Sequence, residues 1–347
     1  MNTIMIGLDI AKTVFQVHGI DEAGKVVHRR QLRRSQLEAF FGELDPAVIG
    51  MEACGSAHHW ARLFESLGHE VRLMAPAYVK PYVKRNKTDS RDAEAICEAM
   101  QRPTMRFVAV KSVEQQAVTG LHRARALLVR QRTATANQLR GLLAELGVVA
   151  PQGTKGLRSL IEGLPETSPN TSGVPPLMVE VLVRLARQWQ AFDADIGALD
   201  RRIVAAVRDN EAARRLMEIP GVGPISASAI LATVGDARQF RSGRGLAAWL
   251  GLTPRQNNTA NKRRSGGISK QGERHIRTLL ILGASAHLRH EPHRKTRDPW
   301  LAGLMARRPV KVAAVAQAAK TARIIWALLT RGERYRAPVT GTGRLAA

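Results

Sequence analysis

The sequence predicts an α/β domain at the N-terminus, followed by a basic and largely helical remainder. Three observations support this fold class. Short apolar runs alternate with helical patterns over the first 110 residues, two long helical periodicities follow, and positive charge is concentrated towards the C-terminus. The formal net charge is +24, and residues 255–336 alone hold 19 Lys and Arg against four Asp and Glu.

The N-terminal region contains strand-like runs that are short, apolar and rich in β-branched residues. Consecutive strands at the start, followed by strand–helix alternation, favour a mixed sheet covered by helices. Strands are predicted at residues 3–9, 13–20, 26–32, 47–52 and 71–75, and helices at 35–44, 57–67, from Pro76 onward and at 89–100.

Two long helices are predicted in the middle of the chain, at residues 112–147 and 176–210. Apolar residues in the second helix recur at intervals of three and four, which is typical of a coiled-coil seam. Such helices can pack within one chain or between two, and the sequence leaves this open. Residues 150–176 are rich in Pro, Gly, Ser and Thr and are predicted to be a linker or insertion. The seam residues are Leu177, Val181, Leu185, Trp189, Phe192, Ile196, Leu199 and Ile203.

The remainder, residues 211–336, is predicted to be helical and basic. The chain is therefore divided into predicted domains at residues 1–110, 111–210 and 211–336, with a disordered tail at 337–347.

The charge favours a polyanionic partner, because cationic side chains release the counterions condensed on nucleic acid. Nucleic acid is preferred over an anionic membrane surface, since no Lys-rich amphipathic helix or lipidation motif is present. The two cysteines, Cys54 and Cys97, form no Cys-x-x-Cys pattern and suit a reducing compartment. Neither a signal peptide nor an apolar run of about 18 residues is found, so a cytoplasmic protein without membrane contact is expected.

Four acidic residues end or begin predicted elements. Asp9 ends the first strand, Glu52 ends the fourth, and Asp89 and Asp92 begin a helix. Side chains at such positions can project into one crevice, where carboxylates repel one another by about 4 kcal/mol per pair at 4 Å. A hard dication such as Mg²⁺ removes that cost, and two ions can hold the attacking and leaving oxygens of a phosphodiester.

A simpler interpretation exists for each acid taken singly. Asp89 could be the N-cap of its helix, with Asp92 favourable to the helix dipole. Asp9 could begin a turn, and Glu52 could be a surface acid. Their joint placement at two strand ends and one helix start favours a metal site.

The segments around these acids resemble the three acidic blocks of the DEDD transposases of the insertion-sequence one-ten family, which are bridge-RNA-guided recombinases. The resemblance implies a RuvC-like, ribonuclease-H-type domain with Mg²⁺ held by Asp9, Glu52, Asp89 and Asp92. It also implies DNA as substrate, a structured guide RNA as partner, and a homodimer that forms a higher assembly on DNA. The matching blocks are Gly7-Leu8-Asp9-Ile10-Ala11-Lys12, Gly50-Met51-Glu52-Ala53-Cys54-Gly55 and Asn86-Lys87-Thr88-Asp89-Ser90-Arg91-Asp92-Ala93.

The segment 219–225 contains Gly221 and Gly223 ahead of a helix of small residues, and it resembles a helix–hairpin–helix element. In such an element, backbone N–H groups at the turn and the helix N-terminus receive a phosphate without reading bases. An ordinary helical hairpin, in which glycine only turns the chain, is the alternative.

Residues 249–272 are polar, basic and punctuated by glycine, and they are predicted to form a loop against a helix at 273–288. The segment resembles the C-terminal transposase domain of the same family. Basic residues of this segment are candidates for contacts with nucleic acid. These candidates are Arg255, Lys262, Arg263, Arg264 and Lys270.

In that family, a serine in this loop is the nucleophile that becomes linked to DNA phosphate. The nearest match here is Thr259, which keeps the hydroxyl but adds a methyl group that crowds the attack. Ser265 and Ser269 lie nearby and could supply the hydroxyl instead, or the element could be impaired.

We predict an RNA-guided DNA transposase or recombinase. A structure-specific endonuclease of the Holliday-junction type, with water as nucleophile, is the enzymatic alternative. A nucleic-acid-binding scaffold or repressor is the non-enzymatic one.

Overall fold

The structure is a computed structural model that describes residues 4–84, 88–162, 174–259, 262–290 and 298–337. For residues 257–259 and 262–265 it describes the backbone alone. The chain forms two compact units, Met1–Glu114 and Gln115–Ala347.

The first unit is built on a mixed sheet, and its described strands lie in the order β3-β2-β1-β4-β5-β6. The first three strands form an antiparallel meander, β4 and β5 join β1 in parallel, and β6 pairs antiparallel with β5. The sheet confirms the predicted mixed α/β architecture, although β6 is too short for a sequence pattern to predict. The strands are β1 (Met5–Asp9), β2 (Val14–Ile20), β3 (Val26–Arg33), β4 (Val48–Glu52), β5 (Glu70–Met74) and β6 (Phe107–Val108).

Helices cover both faces of this sheet. They are α1 (Leu37–Gly42), α2 (Ala57–Ser66), α3 (Pro76–Val79) and α4 (Asp89–Met100). On one face, Phe41 of α1 and Phe64 of α2 belong to an apolar cluster with Ile6, Leu8 and Phe15 of the sheet. On the other face, α4 contributes a second buried cluster, which includes Ile96, Met100, Ile20 and Met74.

Two glycines allow α4 to lie directly on the sheet. A Cβ atom on Gly7 would stand 2.1 Å from the Ala93 carbonyl oxygen and 2.6 Å from the Cys97 nitrogen. A Cβ atom on Gly50, the partner of Gly7 across β1 and β4, would stand 2.6 Å from the Met100 sulfur. Because Gly7 and Gly50 carry no side chain, the helix packs against the strand backbones themselves.

The second unit is mainly helical. It comprises most of α5 (Val113–Glu145), then α6 (Gly153–Glu162), α7 (Pro176–Arg208), α8 (Glu211–Met217), α9 (Pro224–Val234), α10 (Gly243–Trp249), β7 (Pro254–Thr259), β8 (Lys262–Ile268), α11 (Arg274–His290), α12 (Pro299–Arg307) and α13 (Val310–Arg331).

Helices α5 and α7 pack against each other within one chain. Arg125 pairs with Asp200, and Arg132 lies 2.6 Å from Asp193. A step of seven residues forward on α5 thus matches a step of seven backward on α7, so the two helices run antiparallel. Between them lies a buried cluster formed by Ala136, Leu139, Leu143, Leu157, Ile161, Leu182, Ala186 and Trp189.

The apolar stripe of α7 differs from the predicted seam in its first turns. Leu177 is 73% exposed and Val181 is 38% exposed, whereas Leu182 and Ala186 are buried. The stripe shifts by one residue because packing against α5 and α6 selects which face is covered. From Trp189 onward, the buried positions include the predicted Ile196 and Ile203.

Two segments contain regular structure where the sequence predicts none. Helix α6 lies inside the predicted linker 150–176, because Leu157 and Ile161, four residues apart, are buried against α5 and α7. The predicted loop 249–272 contains the β7–β8 hairpin, in which Gln256 pairs with Ser265. Its polar residues lack apolar alternation, so a strand pattern was not recognisable. Residues 163–173 of the predicted linker lie outside the described residues, as do residues 338–347 of the predicted tail.

Of the helices in the described part of the chain, one, α13, is long and apolar enough to cross a membrane by length and composition. Its Ala313, Ala318, Ala322 and Ile325 are buried in the same apolar cluster as residues of α10 and α11. Packing within the second unit therefore accounts for its apolar face.

Candidate metal centre and C-terminal hairpin

Three of the four predicted acids lie together at the end of β1. One carboxylate oxygen from each of Asp9, Asp89 and Asp92 lies within 4.8 Å of the other two. Asp9 and Asp92 are half-buried, whereas Asp89 is exposed. Among the described residues, no other group of three or more His, Cys, Asp or Glu side chains has this spacing.

The direction of α4 explains this juxtaposition. Gly7 faces Ala93 and Cys97, and the Cys97 thiol lies 3.6 Å from the Met5 carbonyl oxygen, so α4 runs antiparallel to β1. The first turn of the helix therefore lies over the carboxyl end of the strand. This turn carries Asp89 and Asp92.

The capping interpretation of Asp89 is wrong. Thr88 has extended backbone angles and occupies the position before the helix, and its carbonyl oxygen accepts the first helical hydrogen bonds from Arg91 and Asp92. Asp89 is the first helical residue, and its side chain belongs to the acidic group instead.

Glu52 lies beside this group without belonging to it. Leu8 pairs with Met51, so Asp9 and Glu52 end neighbouring parallel strands. Since side chains alternate along a strand, Glu52 shares the face of Gly50, which is the face that α4 covers. Desolvation raises the pKa of the nearby Cys54 thiol, and the charges of Glu52 and Asp9 raise it further.

The donor set suits a divalent metal ion. All the candidate ligand atoms are carboxylate oxygens, which hard cations prefer. Carboxylates held this close repel one another, and a bound dication would offset that repulsion.

The hairpin carries the candidate nucleophile at its tip. Thr259 ends β7 and its backbone pairs with Lys262, the first residue of β8. The side chains of Thr259, Lys262, Arg263, Arg264 and Ser265 lie outside the described residues, as do residues 260 and 261.

The base of the hairpin is described in full. The exposed Arg255 donates a hydrogen bond from Nη2 to the Ser269 carbonyl oxygen at 3.2 Å. Lys270 is exposed and has a left-handed backbone conformation, with φ 57°. The backbone N–H of Lys270 donates to the Gly251 carbonyl oxygen at 3.1 Å, which joins the two ends of the hairpin.

Sequence reasoning missed Arg277, whose side chain fixes this base. It is only 8% exposed, and its Nη1 donates to the carbonyl oxygens of Leu250 at 2.8 Å and Gln271 at 2.9 Å. In the sequence it is one basic residue among many. A helical periodicity that places it on the buried side of α11, between Ile276 and Leu280, was the available signal.

The glycines of the α8–α9 turn have different surroundings. Gly221 has φ 85°, and a Cβ atom there would lie 2.6 Å from the Gly283 carbonyl oxygen of α11. Gly223 is the residue before α9, and the space around its Cβ position is open. Close approach to α11 is therefore one reason for glycine at position 221, whereas Gly223 leaves the helix N-terminus accessible.

Two protein-family models match the chain. The IS110-type DEDD model, described as a transposase, matches residues 6–147. The model described as the transposase IS116/IS110/IS902 family matches residues 213–298. The first match contains Asp9, Glu52, Asp89 and Asp92, and the second contains the β7–β8 hairpin.

Full-length relatives support the same assignment. "Probable family 20 transposase" of Pseudomonas aeruginosa is 53% identical over 97% of this chain and 99% of its own length. "Transposase for insertion sequence element IS1111A" of Coxiella burnetii is 45% identical over 96% of this chain and 91% of its own length. "Transposase for insertion sequence element IS1328" of Yersinia enterocolitica is 37% identical over 95% of this chain and 98% of its own length. The chain therefore belongs to the IS110 family of insertion-sequence transposases with a DEDD-type N-terminal domain.

Proposed function

We propose that this transposase cuts and rejoins DNA strands by Mg²⁺-dependent phosphoryl transfer at Asp9, Glu52, Asp89 and Asp92. The observation that carries the proposal is the group of three aspartates with ligand atoms within 4.8 Å of one another. Bound Mg²⁺ would stabilise the charge that develops on the phosphate oxygens. Asp9, Asp89 and Asp92 would hold the ion, and Glu52 would join them from the neighbouring strand end.

The nucleophile would be a hydroxyl of the β7–β8 hairpin, with Thr259 as the first candidate and Ser265 or Ser269 as alternatives. Its oxygen would form a bond to phosphorus as the bond to the leaving strand oxygen breaks. The hydroxyl gives up its proton, and the leaving oxygen takes one up. Arg255, Lys262, Arg263, Arg264 and Lys270 would neutralise phosphate charge around this step.

Further features of the family would organise the nucleic acid. The α8–α9 turn would act as a helix–hairpin–helix element, with Gly221 and Gly223 presenting backbone N–H groups to phosphate. A structured guide RNA would direct the reaction, and the α5–α7 region would serve as a coiled-coil domain, at residues 111–210, through which a homodimer forms. The net charge of +24 supports binding of long polyanions.

The test compares acidic-site variants with a matched acid elsewhere. Asp9→Asn and Asp92→Asn should each lose strand cleavage by at least about 100-fold while DNA binding is retained, because they remove a metal ligand and leave the basic surfaces intact. Asp45→Asn, which changes an exposed acid before β4, is the control and should cleave normally. The full chain is assayed with its co-purified RNA, with and without Mg²⁺. Cleavage that persists in both variants, or without Mg²⁺, would exclude the proposed metal site.

A covalent adduct distinguishes a recombinase from a hydrolase. The wild-type protein should leave a protein–DNA species on a denaturing gel, and Thr259→Val should abolish it, because valine keeps the shape of threonine without the hydroxyl. If the adduct survives in Thr259→Val, Ser265→Ala and Ser269→Ala identify the alternative. Cleavage without any adduct would favour water as the nucleophile.

A further inference from the structure

The sheet face that carries the acidic group continues onto the edge strand β3. Asp9 pairs with Gln16, which in turn pairs with Gln31. Two residues before Asp9 on β1, Gly7 pairs with His18, which pairs with Arg29. Residues paired across strands lie on the same face, and Gly7 faces α4, so both rows lie on the α4 side of the sheet.

Alternation along β3 gives this strand two different faces. Arg29, Gln31 and Arg33 point to the α4 side and are exposed. On the opposite side, Leu32 is buried and the Arg30 guanidinium lies 5.8 Å from the centroid of the Phe40 ring. The α4 side of β3 is therefore an open polar strip, formed by Arg29, Gln31 and Arg33, next to the acidic centre.

Arg29 connects this strip to the acidic centre. Its Nη2 donates a hydrogen bond to Ser90 Oγ at 3.2 Å, and Ser90 lies between Asp89 and Asp92 in the first turn of α4. The nearby carboxylate of Glu94 is bonded to Lys84 at 2.5 Å. Among the described residues, neither Arg29 nor Arg33 forms a salt bridge, and both are exposed, although the charge of Arg29 contributes to the lowered pKa of the Glu94 carboxyl.

A DNA strand must bring its negative phosphates close to a group of carboxylates. Cations placed beside that group offset the repulsion, and a guanidinium fork matches two phosphate oxygens better than an ammonium group does. A glutamine amide between two such cations can donate to phosphate or sugar oxygens. Four residue steps from Arg29 to Arg33 cover about 14 Å, which is long enough for the strip to contact more than one phosphate of a strand.

We propose that Arg29, Gln31 and Arg33 bind the sugar–phosphate backbone of the DNA strand that enters the acidic centre, with Ser90 orienting Arg29. The inference rests on the proposed function, because it requires DNA to reach Asp9, Asp89 and Asp92. It adds a binding track on β3 that fixes the direction from which the strand arrives.

The test uses the two faces of β3. Arg29→Ala, Arg33→Ala and the control Arg30→Ala remove the same charge from one strand, but Arg30 lies on the opposite face. Each is placed in the Asp9→Asn background of the full chain, and binding to duplex DNA of the element's end is measured from 50 to 200 mM salt. Loss of one phosphate contact should reduce the slope of log K against log salt by about 0.9 for Arg29→Ala and for Arg33→Ala. Arg30→Ala should keep the slope of the Asp9→Asn chain.

Two results would overturn the inference. An Arg29→Ala slope equal to that of Arg30→Ala would show that position on the strand does not matter. Weakened binding of the co-purified RNA, with DNA binding unchanged, would show that the strip serves RNA. Arg29→Lys adds a further readout. In the Asp9→Asn chain it should retain the salt slope, because the charge remains. In the otherwise wild-type chain it should cleave DNA more slowly than the wild type, because the guanidinium fork bonded to Ser90 is lost.

The outcome is separable from that of the proposed function. If Asp9→Asn and Asp92→Asn still cleave DNA, the metal proposal fails regardless of β3. If those variants lose cleavage while Arg29→Ala and Arg30→Ala bind alike, only the inference about β3 fails.

Discussion

At the scale of single residues, the acidic centre depends on glycines as much as on acids. Gly7 and Gly50 each precede an acid, Asp9 and Glu52, by two positions. A spacing of two on a strand places glycine and acid on the same face. Because the glycines have no side chain, α4 can lie directly on the strands, and its first turn brings Asp89 and Asp92 close to Asp9.

Gly7→Ala should be more harmful than Gly50→Ala. The Cβ atom at position 7 meets backbone atoms of α4, at 2.1 Å and 2.6 Å, so the helix must lift. At position 50 the nearest atom is the Met100 sulfur at 2.6 Å, which belongs to a flexible side chain. We expect Gly7→Ala to lower the free energy of unfolding by about 1–3 kcal/mol and to weaken Mg²⁺ binding. Urea unfolding and calorimetric Mg²⁺ titration measure both effects, and equal losses in the two variants would contradict this account.

A buried histidine should make the second unit sensitive to acid. His122 is 3% exposed and its Nε2 lies 3.0 Å from Ser228 Oγ. The pKa of His122 is lowered to about 4, mainly by burial, and the charges of His275 and Arg125 contribute in the same direction. Among the described residues, its Nδ1 has no hydrogen-bond partner, so a protonated ring would bury an unsatisfied N–H group.

The sign follows from the unfolded state, which binds a proton near pH 6.5 whereas the folded state does so only near pH 4. Stability from neutral His122 is therefore complete above about pH 6.5, falls as the pH drops towards 4, and is level below that. The free energy of unfolding should fall by about 3 kcal/mol at most over this range. His122→Gln should flatten this part of the curve in urea unfolding across pH 4–7. An unchanged pH dependence in the variant would remove His122 as the cause.

At the scale of elements, tertiary contacts decide where polar segments become ordered. Helix α6 exists because Leu157 and Ile161 reach a core made by α5 and α7. The β7–β8 hairpin is closed at its base by Gly251 and Gly272, which have φ 68° and 72°. A Cβ atom on Gly272 would stand 1.9 Å from the Trp249 carbonyl oxygen, so the two chain ends touch through their backbones. Arg277 then satisfies carbonyl groups on both sides of this crossing.

Arg277→Met should loosen the hairpin. The substitution keeps an apolar stem but leaves the carbonyl oxygens of Leu250 and Gln271 without their donor, which costs about 1–3 kcal/mol. We expect faster amide hydrogen exchange at Ser269 and Lys270, whose N–H groups close the base. Arg274→Met, on the exposed side of α11, is the control and should leave exchange unchanged. Equal exchange in both variants would show that Arg277 does not hold the base.

At the scale of the whole molecule, the net charge and the family assignment both indicate a protein that binds long polyanions. The excess of cations is +24 for the chain, and the matched family models cover an N-terminal region that carries the acidic group and a basic C-terminal region. In the proposed mechanism, the carboxylates would hold a metal ion and the cations would hold phosphate.

Binding of DNA should weaken steeply with salt. If six to ten phosphates are contacted, affinity should fall by about 10³–10⁵-fold between 50 and 200 mM salt, because released counterions drive the association. Equilibrium binding of the full chain over this range provides the measurement. A nearly flat response would contradict an interface dominated by the phosphate backbone.

The sequence by itself identified the strands that end in Asp9 and Glu52, the helix that begins at Asp89, and the family to which these blocks belong. Strand and helix periodicity are local properties, and so is the placement of an acid at the end of an element. The same patterns could not reveal the β7–β8 hairpin, because its exposed polar ribbon lacks apolar alternation.

Only the tertiary structure decided which distant residues meet. It placed Asp89 and Asp92 over Asp9, left Glu52 on the adjacent strand, packed α5 against α7 within one chain, and brought Arg29 to Ser90. Residues some eighty positions apart approach one another only when helices and strands pack, and that packing depends on contacts such as Gly7 against Ala93. Sequence spacing carries no direct record of those contacts, whereas the folded backbone sets them to within a few ångströms.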